Sequence, residues 1–442
     1  MKKLLGFCTL FAALSAAAVT PPAWFESGVI YQLSLRTFTR GGTFAAAAEM
    51  LEHVKDTGAT IVYLTPFVEM DRDMDRTGWS PRQIKSGYET PKNPYRISNY
   101  NKIDPEYGTE ADLKAFVDKA HALGLKVMFD LVYLHAGPNN VIAQEVPDAF
   151  QKNPDGTTRM TIWHFPYINF ESKGARDYLK RNMERFIRDF DVDGFRCDVG
   201  DQVPEEFWYE MFTYLRTIKS DFATLNEGQH AGHVQRAFQA NYNWNWSYAM
   251  REAVQNQEDH CPLTKRIELE KAYAAKCPKE SLIATFLENH DIATDDWTKR
   301  LDSTLPVEAV NAAFAGLFLA RTVPVIWNGN EIADGSKTSF FGPVEHPARI
   351  AETVNWEMAV QPKAQKRMAA LRELSRLRRE DPAIGHGTME FLDNDCSDRV
   401  LTFAREVPGT RRLVAINLSA TPATVTFAGL TLTLAPYEWK VQ

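Results

Sequence analysis

A chain of 442 residues is too long for one simple core and suits a large domain with a smaller one beside it. Its composition, 44% hydrophobic and 24% charged, is ordinary for a soluble globular protein. The net charge of -7 is spread along the chain without a long basic run, which argues against nucleic acid or an anionic membrane surface as partner.

Residues 1–18 have the order of an export signal. Lys2 and Lys3 form the basic end, Leu4 to Leu14 the apolar middle, and Ser15-Ala16-Ala17-Ala18 the small-residue cleavage region. The apolar stretch is too short to span a bilayer, and Cys8 lacks the small preceding residue of a lipoprotein signal. The chain is therefore expected to be exported, periplasmic or secreted, with no membrane anchor after cleavage. Four cysteines would remain. Cys261 and Cys277 flank a helical segment and could pair in an oxidising compartment; Cys197 suits a small buried hydrophobe.

Strand and helix signals then alternate. Strands are predicted at Val29–Leu35, Ala59–Thr65, Lys126–Val132, Gly194–Val199, Ala223–Asn226, Phe238–Tyr242, Leu282–Leu287 and Val323–Trp327. Helices are predicted at Phe44–Val54, Glu110–Leu123 (closed by Gly124), Ala175–Phe190, Phe207–Ile218 and Lys363–Arg378. A polar stretch from Glu69 to Tyr100 is too long for a bare connection and reads as functional. Beyond residue 384, runs at Val400–Phe403, Arg412–Asn417, Ala423–Phe427 and Leu430–Leu434 read as antiparallel strands of a small β-sandwich. The early Gly-x-Gly-x-x-Gly turn of a dinucleotide fold and the Gly-Lys-Ser/Thr loop of a nucleotide phosphate site are both missing.

Asp198, Glu227 and Asp291 each stand at or just after the end of such a strand. Acids repeated at strand ends, with helices between, are what a (β/α)8 TIM barrel needs to gather groups at one face. Two such acids can cleave a glycosidic bond while a third holds the sugar. Asp198 alone could be a structural partner of Arg196, but with the other two acids in register a catalytic role is the stronger reading. Arg196 leaves the same strand on the same face as Asp198 and would lower a neighbouring carboxyl pKa. Asp130 reads as a barrel-interior acid orienting Arg196 or His135. Glu288 is a barrel-mouth acid or points outward, and Trp79 and Trp163 are sugar platforms or loop anchors.

In these residues the chain resembles the α-amylase family, glycoside hydrolase family 13, as an exported bacterial-type member. The resemblance runs in order from Gly28-Val29-Ile30-Tyr31-Gln32, through Asn93-Pro94-Tyr95 and Ile103 to Thr109, to Asp130-Leu131-Val132-Tyr133-Leu134-His135. It continues with Phe165-Pro166-Tyr167-Ile168-Asn169, Gly194 to Asp198, Asn226-Glu227 and Phe286 to Asp291. It implies Asp198 as nucleophile, Glu227 as general acid/base and Asp291 as the acid that binds sugar hydroxyls. It implies further that Arg196 keeps the nucleophile ionised, that His135 and His290 bind the sugar, and that Tyr95 stacks beneath it. The implied domains are a barrel over 19–135 and 166–383, a short inserted B domain over 136–165, and the C-terminal β-sandwich over 384–442.

Two departures bear on cofactors. Leu134 stands where the family commonly has a calcium-binding asparagine, and Val199-Gly200-Asp201-Gln202 lacks the Lys-His pair of many members. No cofactor is expected to be required, and the usual calcium site is in doubt. Asp71, Asp73 and Asp75 with Gly78 faintly resemble a calcium loop but read better as solvated loop acids. The expected function is a monomeric retaining hydrolase of α-1,4 or α-1,6 glucosidic bonds in starch-type glucans or maltooligosaccharides. A transglycosylase or sugar isomerase on the same barrel is the alternative. A non-catalytic glycan-binding protein is opposed by the intact acid trio.

Overall fold

The computed structural model describes residues 19–255, 261–294, 299–342 and 353–442; the expected export signal, residues 1–18, lies outside them. Eight parallel strands close into a barrel: β1 Ile30–Leu33, β2 Ile61–Leu64, β3 Lys126–Leu131, β4 Gly194–Cys197, β5 Ala223–Asn226, β6 Ala240–Tyr242, β7 Leu282–Phe286 and β8 Val323–Trp327. Each strand pairs with its neighbours in sequence, and β8 pairs with β1. All eight lie where the apolar runs predict them. A parallel strand with both faces covered must be apolar throughout, and β1, β2 and β8 are buried at every position.

Alternation divides these strands into two packed layers. Ile30, Ile61, Tyr63, Met128, Ala223, Leu225, Ala284, Phe286 and Val325 point inward and fill the barrel. Tyr31, Leu33, Val62, Leu64, Val127 and Phe129 point outward and pack beneath the helices. The same register carries Asp130 above Met128 and Arg196 above Gly194, so polar groups begin where the apolar plug ends.

The helix Glu110–Ala122 starts at a capping box, with Thr109 and Asp112 satisfying each other's backbone N–H, and Gly124 follows it at φ 78°. The helical segment expected between Cys261 and Cys277 is Leu263–Ala274, whereas the long helices Trp244–Gln255 and Val307–Phe318 escaped the sequence reading. Val307–Phe318 is buried at all but one position, so it has no polar face from which a helical period could be read. Cys261 and Cys277 are unbonded. They bracket the 12-residue helix Leu263–Ala274, which is about 18 Å long and far exceeds a disulfide's reach.

The polar stretch after β2 is organised. Val68–Met70 pairs antiparallel with Ile97–Ile103, and the short helix Pro81–Lys85 between them is capped by Ser80. Residues 136–165 contribute one short helix, Ile142–Glu145; a bridge of His135 to Tyr167 closes their base, and bridges of Phe150 to Ile168 and Met160 to Pro166 tie them to the returning chain. At the C-terminus, Thr388–Phe391, Val400–Val407, Thr410–Asn417 and Trp439–Val441 form one antiparallel sheet, and Ala423–Phe427 with Leu430–Leu434 a second. The first and last of these strands were not anticipated; Trp439–Val441 is only three half-buried residues. Val400, Ala415, Val425, Phe427 and Leu434 pack between the two sheets.

Arg378, fully buried, donates to the carbonyls of Phe318 and Thr322 at 2.8 Å and of Glu26 at 3.1 Å, joining the last barrel helix to segments before β1 and β8. Removing it strands several buried acceptors. Arg378→Met is expected to lower unfolding stability by about 3 kcal/mol. Urea denaturation at unchanged slope measures this, and a midpoint equal to that of the parent protein would refute it.

Candidate active site

The polar layer above the barrel plug is centred on Arg196. Its guanidinium has no exposed surface and touches three carboxylates. Nη1 donates to Asp130 Oδ1 at 2.7 Å and Oδ2 at 2.8 Å, and to Asp198 Oδ1 at 3.0 Å. Nη2 lies 2.7 Å from Glu227 Oε2, an ion pair without the alignment of a good hydrogen bond. Strand register explains the gathering. Asp130 on β3 faces Arg196 on β4 directly, Asp198 follows Arg196 by two residues, and Glu227 follows the inward-facing Leu225 of β5 by two.

Glu227 is further fixed by the Val199 backbone N–H, which donates to Oε2 at 2.9 Å. Val199 holds a left-handed conformation, φ 45° and ψ 39°, which is strained for a β-branched residue. Both of these contacts fall on Oε2, so Oε1 is the oxygen left to carry a proton. Burial raises the pKa of both acids. For Asp198 the next cause is the charge of Glu227, and Arg196 opposes the rise in each. Two buried carboxyls in this relation hold a proton to higher pH than either would alone.

Asp291 is set differently. Burial pushes its carboxyl up, but the adjacent His290 and the Arg82 guanidinium outweigh it and hold it at about 2. Burial lowers His290 itself to about 3, so at neutral pH the ring is uncharged and the lasting positive partner is Arg82. Arg82 Nη1 donates to Asp291 Oδ1 at 2.6 Å and Nη2 to the Asp291 carbonyl at 3.0 Å.

A chain of hydrogen bonds runs behind the acids. With the Gln32 amide donating to His290 Nδ1 at 2.7 Å, His290 Nε2 carries the hydrogen and donates to the Tyr95 hydroxyl at 2.7 Å. Tyr95 then donates to Asp130 Oδ2 at 3.2 Å, where Tyr63 also donates at 2.6 Å. The Tyr95 and His290 rings stack at 5.4 Å and 15°. His135 is buried and neutral, its pKa lowered by burial to about 3; its Nε2 stands 3.8 Å from Asp198 Oδ2. All seven candidates, Tyr95, His135, Arg196, Asp198, Glu227, His290 and Asp291, thus meet at one site. Six of them, with Arg82, Trp163, Phe340 and Phe341, line a cavity of about 220 Å³, and Arg196 lies beneath it. A larger hollow of about 880 Å³ beside the inserted segment contains none of the three acids.

Several residues gain roles that the sequence alone did not assign. Asp201 accepts from Asn226 Nδ2 at 2.8 Å, Gln229 N at 2.7 Å and His230 N at 3.0 Å, fastening the loop after Glu227. A Cβ at Gly200 would lie 2.1 Å from Asn226 Oδ1 and one at Gly228 2.2 Å from Asp201, so only glycine permits this approach. Asp71 is buried and pairs with Arg96 at 3.4 Å while accepting from Asn139 N at 2.9 Å, which corrects its reading as a solvated acid. Glu288 is a buried structural acid, bound to Arg300 at 2.7 Å and Asn330 at 2.8 Å. Trp79 is fully buried and anchors its loop through Asp73, whereas Trp163 lies at the cavity beside His135.

The residues at the doubtful calcium position do not fit a cation. The Leu134 side chain is buried hydrocarbon, and its carbonyl accepts from Ile168 N at 3.0 Å. Among the described residues no group of three or more His, Cys, Asp or Glu side chains is placed to hold a metal ion.

Comparison with known proteins adds family and fold. The alpha-amylase catalytic domain model matches residues 22–157 and 158–383. Alpha-amylase MalA of Haloarcula japonica is 26% identical across 95% of this chain, which spans 60% of that relative's length. A Bacillus cyclomaltodextrinase is 23% identical across 90% of this chain and 74% of its own. The crystal structure of a noncanonic maltogenic alpha-amylase, AmyB of Thermotoga neapolitana, has the same fold, with a TM-score of 0.78 at 23% identity over 94% of this chain and 98% of that one.

The raised Asp198 pKa has a consequence for stability. A carboxyl whose folded pKa exceeds its unfolded value of about 3.9 costs stability as pH rises above that value. Asp198→Asn removes this cost. Its melting midpoint is expected to exceed that of the parent by about 2–4 °C at pH 7, the gain fading toward pH 4. Scanning calorimetry across that range tests the sign, and a lowered midpoint at pH 7 would contradict it.

Proposed function

The chain belongs to the alpha-amylase family, and from that premise we propose that it is a retaining glycoside hydrolase cleaving α-glucosidic bonds of starch-type glucans or maltooligosaccharides. The single observation that carries the proposal is one guanidinium bridging two carboxyls, Asp198 and Glu227, whose surroundings differ. That bridge holds both acids at one cavity, and family membership supports direct attack on the sugar rather than attack through an intervening water.

In the proposed reaction the Asp198–Glu227 pair holds one proton; with it on Glu227 Oε1, the Asp198 carboxylate attacks the anomeric carbon while Glu227 delivers that proton to the leaving oxygen. Water, deprotonated by the same Glu227, then cleaves the glycosyl ester. Asp291, already a carboxylate, takes sugar hydroxyls and steadies positive charge developing on the ring. Neutral His135 adds a hydrogen bond without adding charge, while His290, occupied by Gln32 and Tyr95, holds Tyr95 so that it supplies a ring face. The reaction runs on side chains alone and requires no cofactor. The site is complete within one chain, so a monomer would suffice, and the basic-apolar-small order of residues 1–18 supports an exported enzyme. Transfer to a second sugar in place of water uses the same intermediate and is distinguished by its products.

Asp198→Asn and Glu227→Gln are each expected to reduce turnover of maltooligosaccharides by roughly a thousandfold or more while leaving the fold intact. Proton NMR of the first product should show the α-anomer; the β-anomer would refute retention. Products longer than the starting sugar would move the assignment from hydrolysis to transfer. The rate should fall at alkaline pH as Glu227 loses its proton, and Glu227→Gln should abolish that limb.

A further inference from the structure

Arg82 pairs with Asp291 but takes no direct part in the bond-breaking steps of the proposed reaction. It stands on the helix Pro81–Lys85, and that segment is firmly built. Ser80 caps the helix, buried Gln83 donates to the Thr90 carbonyl at 2.9 Å, and the Trp79 carbonyl binds His164 of the insert at 3.0 Å. From there Arg82 reaches Asp291 through both the side chain and the carbonyl of that residue. Its guanidinium lies 5.2 Å from the Phe340 ring and 5.8 Å from Phe341, and Phe340 in turn lies 5.7 Å from Tyr95.

The order of the barrel gives this contact its direction. Asp198 and Glu227 leave β4 and β5. Arg82 follows β2, Asp291 follows β7, and Phe340 and Phe341 follow β8. In a closed ring of eight strands, β8 and β1 lie opposite β4 and β5. The Arg82–Asp291 bridge therefore crosses the mouth on the side facing away from the acid that protonates the leaving group. A cavity of about 220 Å³ is smaller than the roughly 300–1,000 Å³ of pockets for drug-sized ligands, and suits one sugar ring rather than a run of them.

We propose that Arg82, clamped on Asp291 and backed by Phe340 and Phe341, is a specificity-determining residue that walls off the cleavage pocket and restricts attack to the sugar at the non-reducing end of a chain. The assignment rests on the glycosidase reading above. The arginine contributes donors to the terminal hydroxyls that Asp291 accepts, so the chain end is recognised by the same pair that blocks its extension.

The test compares maltoheptaose with maltoheptaose capped at its non-reducing end by a 4,6-O-ethylidene group, products being separated by chromatography. The full-length enzyme is expected to shorten the free sugar from its end and to cut the capped one at least tenfold more slowly. Arg82→Ala should raise the capped-to-free rate ratio at least tenfold, and Phe340→Ala serves as a second breach of the wall if that variant does not fold. Equal cleavage of both sugars by the parent enzyme overturns the wall and leaves the glycosidase reading standing. Cleavage of neither overturns that reading and the inference with it. A parent enzyme that discriminates, with both variants discriminating equally well, overturns the role of Arg82 and its backing.

Discussion

One buried cation balances three carboxylates in this structure, and the rest of the site follows from that imbalance. Arg196 is a permanent positive charge without solvent. If Asp130, Asp198 and Glu227 were all ionised around it, two uncompensated negative charges would lie in a low-dielectric interior, at a cost of several kcal/mol. The fold relieves part of this with neutral donors: Tyr63 and Tyr95 on Asp130, and the Val199 N–H on Glu227. The remainder is relieved by keeping a proton on the Asp198–Glu227 pair. An acid and a base side by side are thus the cheapest charge state of the buried cluster, before any substrate enters.

The barrel was legible because its strands are short, apolar and rich in β-branched and aromatic residues, so even the three-residue Ala240–Tyr242 fell inside its predicted run. Asp198 and Glu227 were legible because each directly follows a strand, and strand register alone brings Asp130, Arg196, Asp198 and Glu227 together, whereas Asp291 lies five residues beyond its strand in the short helix His290–Thr294. Arg82 was not legible. It sits in a polar stretch without periodicity, 209 residues from Asp291, and nothing local announces a pairing that the closed ring creates. Asp201 looked like a departure from a familiar motif, yet it holds the adjoining loop. Its role depends on two glycines, the adjacent Gly200 and the distant Gly228, that let backbone and side chain approach, which spacing alone does not disclose.

The outer helices show a related limit. Where a helix is sandwiched between other elements, its polar face disappears and with it the 3.6-residue signal; Val307–Phe318 is the clear case. Leu263–Ala274, with only two buried residues, keeps its polar faces, and a helical segment was legible there between Cys261 and Cys277. The C-terminal sheets were seen where strands alternate cleanly, as in Ala423–Phe427, and missed at exposed or short edges such as Thr388–Phe391.

Asp201 has a mechanical consequence. It stands three residues beyond Asp198 and grips three groups flanking Glu227, so the ends of β4 and β5 form a single stiff corner. Thermal motion can carry that corner as a body but cannot easily spread its two acids. Asp291 belongs to another corner, tied to the long excursion after β2. Breathing of the barrel mouth therefore varies the grip on the sugar while the spacing of the bond-breaking pair stays constant.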